Sequence, residues 1–127
     1  MREWESFLPI EVCERLQKIM DVRYVIDLGI RTESISEEGE VVCTMDAGDK
    51  INAMGGAHGG AIFSLADQAF ALACNMGAEP QVALCVNMNF LRPGRGKLKA
   101  VARKISETRR TSVCEVKVFE DGELIAT

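Results

Sequence analysis

Residues Asn52-Ala53-Met54-Gly55-Gly56-Ala57-His58-Gly59-Gly60 run directly into Ala61-Ile62-Phe63-Ser64-Leu65-Ala66-Asp67-Gln68-Ala69-Phe70-Ala71-Leu72-Ala73-Cys74. This reads as a glycine loop opening a nearly all-apolar helix. Between His58 and Glu79 the one formally charged side chain is Asp67. Burying an unpaired carboxylate is costly, and no neighbour in sequence supplies a partner, so a chemical role is the better explanation for it. Four glycines in six positions, Gly55, Gly56, Gly59 and Gly60, let the backbone approach a ligand closely and leave the first helix amides free to donate to an oxyanion. Donors at a helix start with a carboxylate about two turns further on suit acyl transfer or hydrolysis.

The elements that must position these groups follow from periodicity. Leu8 to about Met20 carries Val12, Leu16 and Ile19 at helical spacing, with Pro9 suited to a first turn. Leu28–Ile35 and Glu40–Met45 flank Glu38-Gly39 as a hairpin, and a long glycine-containing loop from Asp46 to Gly59 leads into a helix from Gly60 to about Met76. Gln81–Leu91 is predicted as a long strand, with Val82, Leu84, Val86, Met88 and Phe90 on one face and Ala83, Cys85, Asn87 and Asn89 on an unusually polar other face. Pro93-Gly94-Arg95-Gly96 turns the chain into a strand from Lys97 to about Ile105. Thr111–Glu120 then pairs through Asp121-Gly122 with Glu123–Thr127, a last strand expected to be cut short at residue 127.

A chain of 127 residues fits one domain, short enough that a second copy is expected to complete a site. A net charge of −4 and a pI near 5.1 argue against bulk nucleic-acid or anionic-membrane binding. The start, Met1-Arg2-Glu3-Trp4-Glu5-Ser6, has no signal-like apolar region, and no run approaches the ~20 residues that span a bilayer, so a cytoplasmic location is expected. Cys13, Cys43, Cys74, Cys85 and Cys114 are scattered without a Cys-x-x-Cys pair, and the single His58 completes no zinc set with them; free thiols and no metal are expected.

A helix apolar nearly all round must be wrapped, and a curved antiparallel sheet is the available wrapping. The chain resembles the PaaI-like hotdog family of acyl-CoA thioesterases, the phenylacetate-degradation thioesterases and their relatives. The resemblance spans Leu28 to Thr127. It is carried by Asn52-x-x-Gly55-x-x-His58-Gly59-Gly60, by Leu65-Ala66-Asp67, and by Val86-Asn87-Met88-Asn89-Phe90-Leu91-Arg92-Pro93. It implies an α+β hotdog fold, a curved antiparallel sheet around a long central helix with a short N-terminal helix.

The resemblance also implies roles. Asp67 corresponds to the aspartate that activates water or attacks the thioester, facing the glycine loop of a second subunit. The Gly59 amide corresponds to the oxyanion donor, and Asn52 to a side chain that orients the carbonyl or the water. His58 is implied to position the loop. Gly60, Cys85 and Asn87 are candidate substrate contacts; Cys85 stands where relatives place a serine or threonine and is expected to be buried packing rather than a nucleophile. Arg92, Arg95 and Lys97 are either a solvated rim or contacts to the phosphates of coenzyme A. The implied activity is hydrolysis of an acyl-CoA, without metal or cofactor, by a homodimer as minimal active unit, expected to assemble as a homotetramer. A hotdog hydratase acting on enoyl or hydroxyacyl thioesters and a non-catalytic acyl-CoA binding module are the alternatives. The acyl group, aryl or medium-chain, stays open.

Overall fold

Alternating burial builds the sheet. In the computed structural model, which describes residues 2–127, Val41, Cys43 and Met45 point inward from one strand and Leu98, Ala100 and Ala102 from its neighbour, the period of two that a half-buried strand requires. The chain opens with a short 3-10 turn at Glu3–Ser6, followed by helices α1 (Ile10–Met20) and α2 (Arg23–Leu28). Strands β1 (Arg31–Ile35) and β2 (Val41–Asp46), helix α3 (Gly59–Cys74), and strands β3 (Lys97–Glu107), β4 (Ser112–Glu120) and β5 (Glu123–Ala126) complete it. The five strands form one antiparallel sheet in the order β1-β2-β3-β4-β5. Register shifts at Thr32/Ser34, Lys104/Ser106 and Val118/Phe119 are the irregularities that curl such a sheet.

Helix α3 lies across the inner face. Ala61, Ile62, Leu65, Ala66, Ala69, Leu72 and Ala73 are buried, and the sheet presents small Ala100 and Ala102 beneath them, so the helix seats closely. Helix α1 covers part of its other side through Val12 and Leu16, and buried Gln68 donates from α3 to the Ile19 carbonyl at 3.2 Å. Arg15 reaches over the end of α3, donating to the carbonyls of Asn75 (3.0 Å), Gly77 (2.7 Å) and Ala78 (3.2 Å). The hotdog architecture is therefore present, with one amendment. Wrapping is incomplete: Gly60, Phe63, Ser64, Asp67, Phe70 and Ala71 form a stripe of α3 that the described residues do not fully cover.

Four expected elements are placed differently. The hairpin does not begin at Leu28, because α2 occupies Arg23–Leu28 and ends on Gly29, whose φ of 71° is the left-handed helix stop. Helices α1 and α3 start at Ile10 and Gly59, and α3 ends at Cys74 where Asn75 turns the chain. The predicted strand over Gln81–Leu91 does not form. Only its end pairs, Asn89 and Thr127 exchanging backbone bonds of 2.8 and 3.1 Å and Leu91 donating to Ile125 at 2.8 Å. Residues 81–88 find no neighbouring ladder among the described residues, and an extended segment without a ladder is not a strand. Its alternation therefore buries little: Val82 is 93% and Leu84 92% exposed, and of the predicted inward face only Met88 packs partly against the core.

The turn before β3 is tightly packed at Gly94, where an added Cβ would lie 2.9 Å from Ile125 Cδ1 and 3.2 Å from Leu98 Cδ2. Gly94→Ala is expected to destabilise the fold by about 1–3 kcal/mol in denaturant titrations. Gly77→Ala, which meets no atom within 4 Å, should stay within about 0.5 kcal/mol.

Candidate active site

The glycine loop is closed on itself before the helix begins. Asn52 Oδ1 accepts from the amides of Met54 (2.9 Å) and Gly56 (3.1 Å), and Asn52 Nδ2 donates to the Ala57 carbonyl at 3.4 Å. The Ala57 amide donates to the Gly94 carbonyl at 2.7 Å, fastening the loop to the turn before β3, and Gly55 takes a φ of 84° that favours glycine. Asn52 thus directs its side chain into the loop through three bonds rather than toward a ligand.

His58 caps α3. Its Nδ1 accepts from the Gly60 amide at 2.9 Å, so the neutral ring carries its proton on Nε2, and its carbonyl accepts from Ala61 (2.9 Å) and Ile62 (3.1 Å). Three of the first four amides are satisfied this way. The Gly59 amide is left, without an acceptor among the described residues. Gly60, a candidate substrate contact, spends its donor on His58; Gly59, at the positive end of the helix, keeps its own.

Asp67 lies on the uncovered stripe of α3, exposed rather than buried as its apolar surroundings in sequence suggested. It borders a cleft of about 380 Å³ whose walls include Phe63, Phe70, Val86, Val113 and Val116. Desolvation by these walls raises its pKa above the ordinary carboxylate value. Cys85 and Asn87 line the same cleft, and Cys85 is exposed, not packed in the core; residues 81–88 lie at the surface because they have no strand partner among the described residues. Burial pushes the Cys43 thiol up to about 12 and raises those of Cys74 and Cys114, so these three are protonated thiols at neutral pH.

Gly59 and Asn52 border a different cleft, of about 270 Å³, together with Phe90 and Arg92. Asp67 follows Gly59 by eight residues, about 12 Å along the helix axis. One chain therefore does not bring its carboxylate and its free amide onto one atom. Arg92 sits 3.6 Å from Glu123, whereas Arg95 and Lys97 are exposed and form no ion pair among the described residues. Glu120 accepts from the backbone amides of Arg95 (2.8 Å) and Gly96 (2.6 Å), fixing the turn that carries them. Among the described residues no cluster of His, Cys, Asp or Glu could hold a metal, and no helix is long and apolar enough to cross a membrane.

Residues 54–126, from the glycine loop through β5, match the thioesterase superfamily. The chain belongs to that family. Over 98 residues it is 37% identical to acyl-coenzyme A thioesterase PaaI of Escherichia coli (strain K12), covering 76% of this chain and 70% of the relative. The structure of E. coli PaaI, from the phenylacetic acid degradation operon, aligns with a TM-score of 0.81 at 31% identity, covering 91% of this chain and 88% of that one. A mutant of the phenylacetic acid degradation protein PaaI from Thermus thermophilus aligns with a TM-score of 0.77 at 36% identity, covering 83% and 92%. The span of the family match includes Gly55 to Gly60, Leu65-Ala66-Asp67 and the Val86–Pro93 run, while Asn52 lies just before it.

Sequence reasoning missed the apolar walls of the Asp67 cleft contributed by β4. It also passed over Tyr24, whose hydroxyl lies 2.8 Å from Ser64 Oγ on the same stripe of α3. Gly29, a helix-stop signal, was the clue that residues 23–28 form a helix that could carry it.

Because the folded chain holds Asp67 with a raised pKa, it binds that proton more tightly than the unfolded chain does. This contribution favours folding below the unfolded pKa of about 3.9 and is lost as pH rises through the folded value. Asp67→Asn in this thioesterase should therefore melt no lower than wild type at neutral pH, with its relative stability growing as pH rises through that window; thermal melts across roughly pH 3–8 check this.

Proposed function

We propose that this PaaI-like thioesterase hydrolyses an acyl-CoA thioester to the free acid and coenzyme A, at a site built from Asp67 of one subunit and the Gly59 amide of another. The observation that carries this reading is the division of labour along α3. One end holds an amide with no acceptor among the described residues; two turns later an unpaired carboxylate of raised pKa stands in a half-apolar cleft. Each is half of an acyl-transfer site, and two-fold symmetry brings such halves together twice per dimer. The open edge of residues 81–88, with Val82 and Leu84 exposed, supports a second copy beside the cleft.

In this arrangement the thioester carbonyl oxygen accepts from the Gly59 amide, and the positive end of α3 stabilises the charge that gathers on that oxygen. Asp67 either takes a proton from water as the water oxygen bonds to the carbonyl carbon, or attacks that carbon directly, with water later opening the anhydride. In both routes the carbon–sulfur bond breaks, the electron pair leaves with the coenzyme A thiolate, and the acyl carbon keeps the oxygen. Asn52 and His58 act as positioning residues, one shaping the loop and the other directing the Gly60 amide away so that Gly59 is the donor. Cys85 and Asn87 border the reacting carbon's side of the cleft. Arg95 and Lys97 are free to meet the coenzyme A phosphates, and Arg92 joins them by releasing Glu123.

Asp67→Asn should lower kcat by about 10²–10⁴-fold with the fold intact, and the acid limb of the wild-type pH profile, displaced above the ordinary carboxylate range, should vanish with it. Near-normal thiol release by the purified variant would remove Asp67 from the mechanism. Cys85→Ser should keep or increase activity, since it supplies the hydroxyl that relatives carry. A subunit-exchange experiment tests the shared site. Hybrids of Asp67→Asn and Asn52→Ala subunits collect both defects in one site and leave the other whole, so mixing two nearly inactive proteins should recover up to about half of wild-type activity per hybrid dimer. Verified hybrids as inactive as their parents would place the site within one chain.

A further inference from the structure

The cleft beside Asp67 does not end at its own walls. A second cleft, of about 470 Å³, adjoins it and shares Phe70, Cys85, Val113 and Cys114 with it. On each of the three elements that enclose it, the second cleft takes the residues further from Asp67. Helix α3 passes from Phe70 to Cys74, β4 runs back from Cys114 to Ser112, and the unpaired segment runs back from Cys85 to Gln81. The two clefts are therefore one groove. From Asp67 to Cys74 it follows two turns of α3, about 10 Å along the axis.

Its far half is apolar inside and closed at the end. Burial keeps the Cys74 and Cys114 thiols protonated, and such thiols pack as small hydrophobes beside Phe70 and Val113. At the end, the Ser112 hydroxyl donates to Gln81 Oε1 at 2.7 Å, tying β4 to the segment. Gln81 is itself held by buried Asn75, which accepts from its amide at 2.8 Å and donates to its carbonyl at 3.2 Å. A groove with a fixed end measures length.

We propose that the second cleft holds the tail of a linear acyl chain of about eight to ten carbons, which makes the substrate a medium-chain acyl-CoA rather than an aryl-acyl one. The proposal rests on the acyl-CoA reading above and deepens it. With the carbonyl carbon at Asp67, an extended chain of that length passes Phe70 and Cys114 and stops at the Ser112–Gln81 tie. A phenylacetyl ring sits in the first cleft and leaves the second unfilled, gaining nothing from its walls. In the dimer proposed above, the second copy beside residues 81–88 also roofs this groove and keeps the tail out of water.

Activity and labelling test this separately. On wild type, kcat/KM should be about tenfold or more higher for octanoyl-CoA than for butyryl-CoA or phenylacetyl-CoA, because each added methylene finds an apolar wall. Ser112→Trp, which fills the far end, should lower the octanoyl-to-butyryl ratio about tenfold. Gln81→Ala combined with Ser112→Ala, which opens the end, should move the preferred length toward dodecanoyl-CoA. Preference for phenylacetyl-CoA, or an unchanged chain-length profile in both variants, would overturn the proposal. The labelling experiment needs no turnover. The thiol of a Ser112→Cys variant is alkylated with iodoacetamide and followed by peptide mass mapping, in the presence of the S-octyl or the S-butyl thioether of coenzyme A, neither of which can be hydrolysed. The octyl thioether should slow labelling several-fold and the butyl thioether should not; equal rates would overturn the placement of the tail. Protection by the octyl thioether in a protein that hydrolyses no acyl-CoA keeps the groove and removes the hydrolytic reading, and hydrolysis without protection does the reverse.

Discussion

The arrangement depends on how the first turn of α3 satisfies its amides. A helix start has four donors with no intrahelical partner, and each must find an acceptor or face solvent or ligand. Here a histidine ring nitrogen takes one and the same residue's carbonyl takes two, leaving Gly59 unspent. A serine or aspartate cap would have served stability as well. The imidazole adds a planar group beside Gly60 so close that a Cβ there would lie 3.2 Å from His58 Nδ1, a contact that would require the ring to shift by a few tenths of an ångström. The loop upstream is held by Asn52 and by the Ala57–Gly94 bond, so the free amide points from a backbone with little freedom to turn away.

The helix body supplies the matching rigidity. Leu65 and Ala69 are fully buried against a sheet whose small alanines admit close contact, and neighbouring Ala66 and Gln68 are buried too, so Asp67 has its azimuth set by residues on either side of it in sequence. Its raised pKa is a consequence of its surroundings. Phe63, Phe70 and the β4 valines take water from around the carboxylate without supplying a hydrogen bond in return.

The parts of this structure that could be read from the sequence are those encoded by local spacing. The glycine run, the lone carboxylate two turns later and the alternation of Val41-Cys43-Met45 each carry their meaning within a few residues. The central helix, the sheet and the candidate carboxylate were legible for that reason. Helix α2 was not, since six residues with one inward valine give too short a pattern to distinguish from a strand approach. Tyr24 could not be placed because its contact lies forty residues away in sequence. Residues 81–91 show the opposite case, a sound alternation that specifies which face a strand would turn inward but not whether a neighbour exists to pair with it.

That unpaired segment ties the protein's stability to its amount wherever a second copy covers it. Between Gln81, bonded to Asn75, and Asn89, paired with Thr127, a stretch of backbone without a ladder and two nearly fully exposed aliphatic side chains leave a lone subunit without contacts that such a neighbour would supply. Folding and association then share one equilibrium. The apparent melting temperature of such a chain rises with its own concentration, and dilution weakens the fold through mass action without altering a single internal contact.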